Sequence, residues 1–337
     1  MIQKIKDLVK NLLPQSFLDN RHRKFIIKNH YSFSDYDRNI FLKHSNALEH
    51  NTQLKNVGII IQLYHIIEKG LTMPNMKLGF GQPKLLSLID ECLRYKEKYD
   101  VSNIQYLHAV GVIAEYKKVH GEHQFSLPEL LLNKINNLLE NEKYVKITEQ
   151  LIYTKEQYFK HKSSAFDQFS NSRHSVRSFS GTVHMSQIEE AIRLAQNTPT
   201  ACNRQPIRIH IVENKELIKE LFKIQNGNRG FGHLVDKLVV ITADVSCYQQ
   251  SEERNLPYVD GGMYTMNLLY ALHFNNVAAI PLNWCRQKED DIKMRKLIAI
   301  PDSEIIVVFI GCGNIPENFK LALSQRNNYK DIYKTHN

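Results

Sequence analysis

Cysteine is scarce in this sequence and nowhere paired by spacing. The five, Cys92, Cys202, Cys247, Cys285 and Cys312, contain no C-x-x-C pair, so neither a zinc knuckle nor an iron–sulfur cluster is written locally, and a reducing compartment fits best. Long apolar runs are missing too. None reaches the roughly 18 to 20 residues that span a bilayer, and the N-terminus lacks the apolar core and small-residue cleavage site of a secretory signal. The chain therefore reads as cytoplasmic. No G-x-G-x-x-G follows a first strand, so no dinucleotide-binding fold is announced. Without a repeat, helix-turn-helix or zinc-finger pattern, no nucleic-acid partner is expected.

What is present is an ordinary globular composition with a surplus of positive charge. Of 337 residues, 42% are apolar and 23% charged, with a formal net charge of +9; this length accommodates two domains, or one with a large extension. The charge points to anionic ligands or surfaces and says nothing of fold. Ile2, Ile5, Leu8, Val9, Leu12 and Leu13 share a face of a first helix that Pro14 ends. Through residues 1–13 that helix can lie on an anionic membrane, or pack on protein as most amphipathic helices do.

Up to about residue 165 the periodicity is helical, as in VGIIIQLYHIIEKG and LPELLLNKINNLLENEKYVKITEQLIYTKEQYF. From residue 166, IRIHIVE, KLVVITAD, NVAAIPLN and EIIVVFIGCG are short β-branched runs bounded by Gly, Pro or Asn, which read as buried strands. Helices separate them. Ser186 and Glu189 suggest a capping box along with Ile188, Ala191, Ile192 and Ala195 on one face, and GGMYTMNLLYALHF suggests a buried helix that suits a subunit interface. The expected fold is α+β: a helical region, 1–165, before a domain with one main sheet, 166–337.

Within the helical half, HIIEKGLTMPNMKLGFGQP is rich in Gly and Pro and reads as a structured loop with His65, Glu68 and Lys69 at its root. No second half of a metal site accompanies His65 and Glu68, so a helix-surface hydrogen bond is expected and no metal. His120 and His123 in VHGEH look like an exposed turn.

Four stretches carry chemistry. In SRHSVRSF, Arg173 and Arg177 flank His174 and Ser175; guanidinium binds phosphate oxygens in a fork, and a hydroxyl adds a donor. A solvated helix face is the alternative, and these residues alone leave both open. NTPTACNRQP, AIPLNWC and FIGCGNIPENFKLALSQR follow at the ends of a helix and two strands. Cys285 reads as a small buried residue, since no basic partner is legible. Trp284, the only tryptophan, fits a ring-stacking role and core packing equally.

In this order, RHSVR, PTACNRQP, GMYTMNLLYALHFNNV and IPLNWC resemble the nitroreductase family over about residues 166–330. The resemblance implies a homodimer with two FMN molecules at its interface. Arg173, His174 and Ser175 would hold the phosphate and ribityl chain, Arg177 the pyrimidine edge, and Arg326 the phosphate again. Pro199, Thr200, Ala201, Asn203 and Gln205 would belong to the flavin-contacting segment, supplied by the partner subunit. Pro281, Leu282, Asn283 and Trp284 would line the ring, and Asn228 and Arg229 would join them from a segment that aligns poorly. Ser324 and Gln325 depart from the family, where a basic residue can precede the last arginine.

The activity so implied is an FMN-dependent oxidoreductase, passing hydride from NADH or NADPH through flavin N5 to a small electron-poor acceptor. The helical half resembles extensions, marked by EKGL-MP and GFG, of nitroreductase-like proteins associated with polysaccharide biosynthesis. The alternative is a dimeric scaffold of a cell-envelope polysaccharide assembly.

Overall fold

A computed structural model describes residues 14–140 and 146–336. The amphipathic helix suggested for residues 1–13 lies outside them. Among the described residues five helices come first: α1 (Gln15–His44), α2 (Gln53–Leu71), α3 (Gln82–Lys98), α4 (Ile104–Glu122) and α5 (Glu129–Glu140). Helices α2 to α5 bury one apolar cluster that includes Ile60, Ile67, Leu88, Tyr106 and Ile135. By contrast α1 buries nothing and is pinned at a few points. The Arg254 guanidinium grips the Asp37 carboxylate through two bonds of 2.7 Å and lies over the Phe33 ring.

The sheet forms where the β-branched runs predict it. Strands β2 (Ile207–Val212), β3 (Lys237–Asp244), β4 (Ala278–Asn283) and β5 (Glu304–Gly313) stand in the order β2-β3-β5-β4, every pair antiparallel. Because side chains alternate across a strand, β3 feeds two cores. Leu238 and Val240 join Ile218, Phe222 and Met294 from α9 (Lys215–Gln225) and α11 (Lys288–Leu297). On the other face, Val239 and Ile241 join Ile188, Ala191 and Leu268 from α8 (Met185–Ala195) and α10 (Leu256–Phe274). Helix α10 is apolar all round because it is buried on one side and presents Tyr258, Val259, Met263 and Met266 on the other.

Three local readings change. Helix α8 is capped by His184 and Gln187, two residues earlier than Ser186 and Glu189. The helical pattern does not continue to Phe159: Leu151–Thr154 is a strand, β1, paired antiparallel with β6 (Asn318–Leu321), before the short helix α6 (Lys155–Phe159). A partner strand more than 160 residues away overrides the local period. His120 is fully buried in α4, not in an exposed turn, and only His123 is exposed.

His120 holds the Gly- and Pro-rich loop. Its Nε2 accepts the Gly79 N–H at 2.9 Å while the Tyr116 hydroxyl donates to the Phe80 carbonyl at 2.7 Å. Phe80 then lies on Gly70, where a Cβ would overlap its ring. Gly79 and Gly81 take positive φ of 73° and 65° to make the turn. Gly70→Ala is accordingly expected to destabilise the fold by about 1–3 kcal/mol, as overpacking does. A urea midpoint equal to wild type would show that Phe80 can move aside.

Candidate functional site

The segment SRHSVRSF begins where the helix α7 (Phe166–Ser172) ends and runs extended along the outer edge of β4. The Val176 N–H donates to the Ala279 carbonyl at 3.2 Å, and Ser180 N–H to Asn314 at 2.8 Å. Tyr158 fixes the middle by donating its hydroxyl to the His174 carbonyl at 2.9 Å. Val176 points into the core and Arg177 is itself only 8% exposed. That is no solvated helix face.

Buried guanidinium groups normally meet acceptors, since an unpaired buried donor is costly. Here Arg173 Nε and Nη1 and Arg177 Nε are buried with no hydrogen-bond partner. The site is crowded with positive charge. Burial, then Arg173 and Arg326, hold the His174 imidazole below its usual pKa, so it adds no further cation. Burial brings Arg177 down to about 10, still protonated at neutral pH. One end of the site therefore gathers Arg173, His174 and Arg326; the other gathers Arg177 and Lys69, with Arg177 close enough to depress the Lys69 ammonium's pKa after burial does.

Glu68 is the carboxylate nearest this second end, and it is already committed. Fully buried, it accepts from His108 Nε2 at 2.6 Å and pairs with His65 Nδ1 at 3.1 Å. The Ser324 N–H also reaches it at 3.3 Å. Burial alone would raise its pKa, but the two histidine hydrogen bonds outweigh that and bring it to about 2. The expected surface hydrogen bond between His65 and Glu68 is thus one arm of a buried hub. Nothing in the sequence marked His108 as its third member.

Two further stretches converge here. Gln225, buried and not singled out by the sequence, donates from Nε2 to the Asn283 carbonyl at 3.0 Å and accepts the Gly227 N–H at 2.7 Å. It thereby ties the turn carrying Asn228 and Arg229 to the end of β4. Asn228 serves that turn, donating to the Phe222 carbonyl at 2.8 Å, and exposed Arg229 bonds Asn226. Pro281 is half-buried, while the Leu282 side chain is buried in the core. Trp284 packs on Phe309 at 5.1 Å and donates to Asp291 at 2.8 Å, which favours packing. Cys285 is exposed, contrary to its reading as a buried residue, because it follows β4 onto the surface.

The segment of Pro199, Thr200, Ala201, Asn203 and Gln205 lies elsewhere. It precedes β2, at the opposite edge of the sheet from Arg173 to Arg177. With strands about 4.8 Å apart, the three steps from β4 to β2 put roughly 14 Å between the edges. Its backbone is unusual: Cys202, Asn203 and Gln205 hold φ of 51°, 53° and 52°. Asp260, accepting from Ala201 N–H at 3.1 Å and Tyr248 Oη at 2.8 Å, holds it in place.

A second basic cleft, of about 440 Å³, lies along α9 with Lys215, Lys219, Lys223 and Arg229 on its walls. Its lysines are already paired with Asp236, Glu216 and Glu220. Of the two, the Arg173–Arg177 site is the one whose buried guanidinium donors lack partners.

Comparison with known proteins bears on the same segment. Residues 171–228 match the family model of the Nitroreductase family. No curated protein matches the chain. Among solved structures the chain is similar to a Clostridium acetobutylicum protein described as an NADH oxidase, with 20% identity over 49% of this chain and 97% of that one and a TM-score of 0.43. A Staphylococcus epidermidis protein described as an NAD(P)H:FMN oxidoreductase gives 18%, 51%, 96% and 0.46. An FMN-dependent nitroreductase of Clostridium difficile gives 17%, 50%, 98% and 0.43. The stretch that supplies Arg173 and Arg177, and runs on to Asn228, is thus the part of this α+β chain that is similar to the Nitroreductase family.

Proposed function

We propose that the protein is an FMN-dependent oxidoreductase that takes hydride from NADH or NADPH and acts as a homodimer in the cytoplasm. The observation that carries this reading is the set of buried, unpartnered guanidinium nitrogens on Arg173 and Arg177 inside the family segment. Such donors fit an anionic, acceptor-rich group such as FMN. Bound FMN would supply the hydride chemistry, with the protein contributing position and electrostatics.

Arg173, with His174, Ser175 and Arg326, would hold the phosphate end, and Arg177 the pyrimidine edge. The backbone of Pro281 to Trp284 and the turn of Asn228 and Arg229 would border the ring. The roughly 14 Å between the sheet edges supports assigning Pro199, Thr200, Ala201, Asn203 and Gln205 to the site of a partner subunit. Exposed Tyr258, Val259, Met263 and Met266 on α10 offer an apolar face for that subunit. Division at residue 165 into a helical unit and a flavin unit, and a place in polysaccharide biosynthesis, belong to the same proposal; the latter rests on the EKGL-MP and GFG resemblance. No helix among the described residues is long and apolar enough to cross a membrane.

An absorbance spectrum of the purified protein, followed by anaerobic NADH or NADPH, tests the reading. A flavin band that bleaches is expected. If no flavin is bound even after FMN is added, the proposal is wrong.

A further inference from the structure

Resting on the flavin reading above, we infer that the helical region completes the flavin site in the same chain, with Lys69 as a second cation beside Arg177 that favours the reduced, anionic ring over the oxidised one. Three observations place it there. The end of α2 and the loop after it share a cleft of about 410 Å³ with the Arg177 strand: Leu71, Thr72 and Met73 face Ser178 across it. Met73 also packs on the C-terminal core and lies against Gly230, next to the Asn228–Arg229 turn. Glu68, the residue before Lys69, is bonded to the tail at Ser324.

Lys69 is half-buried, yet its ammonium has no acceptor within hydrogen-bond or ion-pair distance among the described residues. The adjacent Glu68 carboxylate attracts both cations but ion-pairs with neither, its two oxygens being bonded to His65 and His108. Two cations are therefore kept together, Lys69 and Arg177, neither in a direct ion pair among the described residues. That arrangement is unfavourable alone and becomes favourable when negative charge develops between them. The loop that sets Lys69 is rigid for stated reasons: Gly70 receives Phe80, and His120 clamps Gly79. Glu68 is a positioning residue in this arrangement.

The test is the midpoint potential of bound FMN in wild type and in Lys69→Met, Lys69→Arg and Lys77→Met, with Lys77 exposed on the same loop. Lys69→Met is expected to lose about tenfold in preference for reduced flavin, a midpoint about 30 mV more negative. Lys69→Arg should recover most of the shift, and Lys77→Met should show none. If Lys69→Met does not fold, Lys69→Gln gives the same comparison. A wild-type potential in a neutral variant that binds FMN overturns the inference and leaves the flavin reading standing. A wild-type protein that binds no FMN overturns both.

Discussion

Arg173→Ala is expected to weaken FMN binding roughly a hundredfold while leaving the flavin-free protein as stable as wild type, or more so. The two effects have opposite causes. In the flavin-free chain, Nε and Nη1 of Arg173 are buried without partners, so removing them relieves a desolvation cost. With an anion bound, the same atoms make charge-assisted hydrogen bonds, each contributing about 1.5–3 kcal/mol, and about 3 kcal/mol corresponds to roughly a hundredfold in affinity. Isothermal titration with FMN, and thermal denaturation with and without it, read both quantities. A residue that merely supports the fold would behave the other way. Lower stability without flavin, together with unchanged affinity, would remove Arg173 from the site.

Glu68→Leu should be the most damaging single change in the helical half. The carboxylate is fully buried and joins α2 to His108 on α4 and to the tail at Ser324. Deleting one partner of a buried pair leaves the others without compensation, typically at about 3–5 kcal/mol. The effect carries a pH signature. Because its folded pKa of about 2 lies below the ordinary 4.5, the stabilisation from Glu68 is fully present above the unfolded value and is lost as pH falls toward 2. Urea denaturation of wild type and variant should therefore differ most near pH 7, and the gap should narrow below pH 4.5. A gap that is the same at pH 7 and pH 3 would mean that the carboxylate charge contributes nothing. Glu68→Gln, which keeps the shape and loses the charge, should fall between the two.

Both predictions concern residues whose surroundings, rather than identities, make them unusual. Arg173 and Arg177 stood out in the sequence as paired cations, but a solvated face explained them equally well; burial and the missing acceptors decide between the two. Glu68 was visible only as the partner of His65 one turn earlier. His108, forty residues on, carries no local mark of its role, and neither does Gln225, which ties Asn283 to the turn after α9. His120 was misread because VHGEH is polar and Gly-containing, although the histidine sits under Phe80 with both ring nitrogens bonded.

The four main strands were legible almost to the residue, since a β-branched run between turn residues is a local signal and β3, β4 and β5 are largely buried on both faces. β1 was not legible. Four residues inside a helical pattern become a strand only because Asn318–Leu321 lies beside them.

By itself, then, the sequence determined the α+β class, the change from helical to strand periodicity, and the short list of basic and turn residues able to meet an anion. These are properties of neighbouring residues, and periodicity expresses them directly. Tertiary structure alone decided which cations lack a direct partner, that Lys69 of the helical half lies near Arg177, and that residues 199–205 sit at the far edge of the sheet. Charge compensation and distance depend on everything packed nearby, and no local stretch of sequence contains that information.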